Sequence, residues 1–152
     1  MITDALLAYF HFSAIFLLFA FLTVEAMLLR NPLDAAAMRL IARVDMWYFA
    51  AAILAVASGV MRMFWGAKGI DFYTANPMFQ IKAGLVIAIG ILSFPPTMQF
   101  MRWSKKLMAN PDFVAPEGER RRVRRMVMIA LHIAALLPLV AVQPVYQHPY
   151  TC

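Results

Sequence analysis

The chain is poor in cysteine and in charge. Its single cysteine, Cys152, is the last of 152 residues. One thiol excludes an intrachain disulfide, an iron–sulfur cluster and a cysteine-ligated zinc site. No CaaX sequence surrounds it to direct prenylation. Only 14% of the residues are charged, against about 25% in soluble domains. The sequence has no P-loop, GxGxxG turn, HExxH pair or nucleophile elbow. Those absences remove the common nucleotide-, zinc- and serine-dependent chemistries. No inverted repeat of the transporter kind, low-complexity tract or second domain is visible.

Apolar residues are abundant instead. They make up 63% of the chain, and the mean hydropathy is +0.70. Soluble domains are about 45–50% apolar, and a chain this short cannot hide such an excess inside itself. The composition excludes a soluble enzyme, a disordered chain and a disulfide scaffold. It predicts an all-α integral membrane protein. Four apolar stretches cover residues 5–29, 46–65, 78–101 and 126–142. A bilayer span takes roughly 20 residues. The pattern predicts a single four-helix transmembrane domain over residues 1–152, folded as an up-down bundle. The first stretch has no basic segment ahead of it and carries Asp4, so it reads as a retained helix and not a signal peptide.

The connections are short. Residues 30–45 begin with Asn31-Pro32 and then place Leu33, Ala37, Leu40, Ile41 and Val44 at helical spacing. This predicts an interfacial helix ahead of the second span. Asp45 reads as the N-cap of that span. Residues 66–77 are rich in turn formers, and residues 102–125 read as a strongly basic loop with an irregular middle. Pro95-Pro96 predicts a kink in the third span. The net charge is +6, and 11 of the 14 basic residues flank the first and third connections, while Arg62, Lys68 and Lys82 lie on the other side. In a membrane protein this pattern signals topology and not nucleic-acid binding. The positive-inside rule puts the first and third connections in the cytoplasm and both termini in the periplasm of a bacterial inner membrane. The run over residues 120–125 is expected to favour anionic lipid headgroups.

Ionisable groups inside apolar spans each need a reason. His11 and Glu25 are 14 residues apart, close to four helical turns, so both face the same way with Leu18 between them. His11 reads either as a hydrogen-bonding group to a neighbouring helix or as a functional imidazole. Glu25 reads as a partner of Arg39 or Arg43. His132 lies near the middle of the fourth stretch, and helix arithmetic allows it to face His11 across a bundle. Two neutral imidazoles suit a haem iron. Arg62 and Lys82 fall at the same level as His11. They read as side chains snorkelling to the headgroups, or as a cationic cluster for haem propionates or a porphyrin substrate.

The residues Asp45, Ser58-Gly59, Arg62, Gly66, Gly69, Tyr73, Asn76-Pro77, Phe79, Lys82, Ser93, Pro95-Pro96-Thr97, Phe100 and Arg102-Trp103 resemble an uncharacterised family of small four-helix bacterial membrane proteins. A more distant likeness is to the membrane haem-protein type of protoporphyrinogen oxidase. That likeness implies His11 and Lys82 at its haem-binding positions, with Arg43 and Arg62 where such proteins carry basic residues. The chain departs from it in the fourth span, where His132 replaces an Asn-Glu-x-Pro-like stretch. The resulting expectation is a haem b-binding membrane redox protein. Cofactor contacts would come from His11, Lys82, His132 and Arg62, the metal ligands would be His11 and His132, and the substrate would be a porphyrin or quinone. The alternative is a non-enzymatic membrane subunit or assembly factor that packs against partner helices or further copies of itself. An ion transporter using Glu25 and His11 is a third reading.

Overall fold

The computed structural model describes residues 2–65 and 69–142. Lys68 and Cys152 lie outside the described residues. The chain is all-helical. Four long helices, α1 (Ile2–Leu28), α2 (Ala35–Trp65), α4 (Pro77–Ala109) and α5 (Glu117–Val142), are joined by short connections, one holding the six-residue α3 (Gly69–Thr74). Helix α1 packs on α2 and α5, α2 on α4, and α4 on α5, so each long helix has two long neighbours.

Local chemistry sets the helix boundaries. Asp34 caps α2, its Oδ1 accepting from the Ala37 N–H at 2.7 Å. Asn76 caps α4, accepting from the Met78 N–H at 2.9 Å, with Pro77 in the first helical position. Helix α4 continues through Pro95 and Pro96. Glu117 and Glu119 occupy the first turn of α5, where carboxylates complement the helix dipole. The Arg121 guanidinium bonds Glu117 and holds its carboxyl below the ordinary glutamate value.

Several expectations from the sequence need correction. Helix α2 is continuous from Ala35, so residues 30–45 contain no separate interfacial helix. The apolar and basic segments keep one helical phase, and no breaker divides them. Asp45 therefore lies inside α2 as a buried side chain and is not a cap. The basic segment over residues 102–125 is mostly helical, with only residues 110–116 between α4 and α5. Among the described residues, three helices, α1, α2 and α4, are long and apolar enough to cross a membrane.

Large apolar side chains cover the outside: Phe16 is 74% exposed and Ile91 68%. Water does not tolerate such continuous apolar surface, and lipid does. Inside, Leu22, Leu29, Met38, Ile41, Phe100, Trp103 and Val127 form the core.

Polar bonds fasten the basic end. Trp103 Nε1 and Gln99 Nε2 both donate to Glu119 Oε2, at 3.0 and 2.7 Å, and tie α4 to α5. Arg120 does not belong to the lipid-facing run expected of residues 120–125. It is buried, and its Nη1 donates to the Leu29 and Arg30 carbonyls at 2.8 and 3.0 Å. Those carbonyls follow the end of α1 and have no further turn to accept from. Arg120→Gln is therefore expected to destabilise the protein by roughly 1.5–3 kcal/mol, the range for hydrogen bonds to a charged group. Unfolding in micelles followed by tryptophan fluorescence measures this, and Arg122→Gln, at an exposed position, should unfold like the parent.

Candidate functional site

Two polar layers lie along α2. The first lies on α2 between its contacts with α1 and with α4. Glu25 projects from α1 and is 1% exposed, between Leu22, Ala26 and Leu29. Its Oε1 is buried with no hydrogen-bond partner among the described residues. It does not pair with Arg39 or Arg43. Those arginines are exposed near the start of α2, while Asp45 is close enough to act on Glu25 through its charge. Asp45 is itself 5% exposed and accepts from Thr97 Oγ1 of α4 at 2.8 Å. Tyr48, one turn further along α2, is within Coulombic range of both carboxyls. Its hydroxyl shares a 2.7 Å hydrogen bond with Ser93 Oγ of α4. The layer thus holds two carboxyls, a phenol and two hydroxyls in an otherwise apolar core.

Sequence reasoning gave no site role to Tyr48, Ser93 or Thr97. Ser93 and Thr97 are four apart on α4, and Asp45 and Tyr48 three apart on α2, so each pair shares a helix face. That matched periodicity was the available signal.

The second layer is built on His11. Its Nδ1 lies 2.9 Å from the Ala55 carbonyl and 3.1 Å from Ser58 Oγ, both on α2. A carbonyl only accepts, so Nδ1 carries the hydrogen and Nε2 of the neutral ring has the lone pair. Ser58 donates its own hydroxyl hydrogen to the Leu54 carbonyl at 2.7 Å, which leaves its oxygen free to accept. Gly59 makes the approach possible: a Cβ there would sit 3.1 Å from His11 Cε1. The Arg62 guanidinium lies 5.8 Å from the centre of the Phe12 ring, a cation–π contact beside His11.

The structure therefore places Arg62 beside His11. His132 is exposed on α5 and bonds its own helix, with Nδ1 2.6 Å from the Met128 carbonyl. Lys82 is half-buried near the start of α4. Among the described residues, no three His, Cys, Asp or Glu side chains form a metal-binding group.

Helices of this length and exterior, enclosing ionisable groups, define a class: a small all-helical protein with helices long and apolar enough to span a membrane. More particularly, residues 3–143 match the family described as predicted membrane protein DUF2214, and the chain belongs to that family. No curated protein and no solved structure matches the chain significantly. The comparisons lend no support to the likeness to protoporphyrinogen oxidase.

Proposed function

We propose that the chain is an integral membrane protein whose working centre binds and releases a proton inside the bilayer, at Glu25 with Asp45 and Tyr48. The carrying observation is the buried, unpartnered Glu25 Oε1. An ionised carboxylate held away from water without a donor costs several kcal/mol, and adding a proton removes that cost. Intramembrane carboxylates that face a bundle interior are a recurrent proton-relay element. Asp45 is the second carboxylate, and Thr97 fixes its orientation. On α5, Arg120 is committed to backbone carbonyls, and Arg124, one turn on, has a buried Nε without a partner. Neither has a described bond to Glu25. The event is an uptake of H⁺ by a carboxylate, with no change in oxidation state. Infrared spectra of purified protein across pH are expected to show a protonated-carboxyl carbonyl band that shifts in D₂O. Glu25→Gln, an isostere of the neutral form, should fold normally and lack it. Absence of the band at every pH, or its persistence in the variant, overturns the reading.

In this reading, residues 1–152 form one domain in a bacterial inner membrane. The helices run up and down, the basic ends are cytoplasmic and the termini periplasmic. Val114, exposed between α4 and α5, tests the orientation. In a Cys152→Ser background, Val114→Cys should react with an impermeant maleimide only after the cells are opened. Labelling of intact cells reverses the topology.

A second reading is haem b binding in a redox protein acting on a porphyrin or quinone. One observation favours it: His11 has Nδ1 fixed by a carbonyl and Nε2 left as a lone pair that could hold iron. The residues fit one imidazole ligand. A second imidazole would have to come from His132, which is exposed on α5 with its Nδ1 bonded to its own helix. Lys82, by resemblance, is the remaining ligand, and Arg62 the propionate partner. Bound haem would supply one-electron chemistry, and His11 and Arg62 would position it. The purified protein should then show a Soret band, lost in His11→Ala and kept in His132→Ala. A colourless protein removes this reading and leaves a membrane subunit packing against partner helices as the alternative to the proton site.

A further inference from the structure

The bonds between α2 and α4 step in opposite senses. Tyr48 meets Ser93, and Asp45, three residues earlier, meets Thr97, four residues later. Continuing that register toward the start of α2 brings Arg43 and Arg39 beside the last turns of α4. A groove of about 290 Å³ lies there, lined by Arg39, Ala42, Arg43, Ser104, Leu107 and Met108.

Its composition is that of a receptor for an amphiphile. Arg39 and Arg43 are one turn apart on the same face of α2, and Ser104 adds a hydroxyl from α4. No carboxylate lines the groove, and neither arginine has a carboxylate partner among the described residues. Three other cations at this end are engaged: Arg120 with backbone carbonyls, Arg121 with Glu117, and Lys106 over the Phe113 ring. The rest of the lining is apolar, and Met108 is 78% exposed.

The depth suits a headgroup. Helix α2 has 31 residues and α4 has 33, about 46 and 50 Å at ~1.5 Å per residue. Both exceed the ~30 Å hydrocarbon core, so their charged ends stand at the polar surface of the bilayer.

We propose that this groove binds the phosphate of an anionic glycerophospholipid from the adjacent leaflet. Arg39, Arg43 and Ser104 hold the phosphate oxygens, and Leu107 and Met108 lie along the start of an acyl chain. A paired guanidinium site matches phosphate geometry and gives charge-assisted bonds. Bulk attraction between a basic loop and a charged surface would not distinguish these two arginines from others at the same end.

The test uses the full chain in neutral detergent, with thermal unfolding and native mass spectrometry as readouts. The probes are phosphatidylglycerol, phosphatidylcholine and inorganic phosphate. Phosphatidylglycerol should raise the melting temperature and give a resolved one-lipid adduct, with little effect from the other two. The Arg39→Gln/Arg43→Gln double variant should bind phosphatidylglycerol about 30-fold more weakly, at ~1 kcal/mol per basic group near the surface. Ser104→Phe, which fills the groove without removing charge, should also lose the adduct, and it keeps the test open if the double variant misfolds. Arg122→Gln/Arg125→Gln should bind as the parent does. Equal losses in the two double variants reduce the effect to diffuse charge and overturn the site. An adduct that survives Ser104→Phe also overturns it, as does stabilisation by inorganic phosphate alone.

Discussion

Glu25 is almost wholly buried, and the packing around it reflects that constraint. Leu22, one turn before the carboxyl on α1, Ala26 next to it and Leu29, just past the end of that helix, are all buried. The neighbouring helices then bring polar groups that already have partners of their own: Asp45 with Thr97, and Tyr48 with Ser93. Each of those bonds joins α2 to α4. The layer is therefore a rigid polar wall on one side of a carboxyl whose own Oε1 is unpartnered. A site that gains and loses a proton needs this inequality. If every oxygen were satisfied by a fixed donor, protonation would break a bond.

In lipid, apolar contact between helices gives little driving force, because the tails are as apolar as leucine. Register must come from close packing and from polar bonds. Here every described cross-helix polar link involves a different pair of levels. His11 joins α1 to α2 through Ala55 and Ser58. Tyr48 and Asp45 join α2 to α4, Glu119 joins α4 to α5, and Arg120 joins α5 back to the end of α1. The circuit closes around all four long helices. A shift of one turn in any helix would break its links to two neighbours, so these few groups specify the register that apolar area alone would leave open.

The helical class and the approximate position of α1, α2 and α4 were legible in apolar run length, because span length is a direct physical demand of the bilayer. The shared face of His11 and Glu25 was legible from helical period. What period cannot give is the rotation of one helix against another. Glu25 was assigned to Arg39 or Arg43 because opposite charges lie nearby in sequence, yet the helix carries those arginines outward and Asp45 inward. His132 was placed opposite His11 by depth alone, and depth leaves azimuth undetermined. Asp45 looked like a cap because the apolar run starts beside it, although α2 begins ten residues earlier at Ala35.

The excess of positive charge at one end shows the same limit from another side. Counted together, these side chains give an orientation and nothing more. Sorted by partner, they separate into distinct roles. Arg120 completes the end of α1, and its charge is spent on carbonyls. Arg121 pairs with Glu117 in the first turn of α5, where both are exposed and salt screens them. Arg39 and Arg43 have neither kind of partner and border a groove with an apolar floor. Loss of Arg120 acts on the fold, because two carbonyls are orphaned. Loss of Arg39 or Arg43 orphans nothing inside the chain, so any effect must be read through whatever occupies the groove. The charge count is blind to that distinction, and it is the distinction between a structural arginine and a binding one.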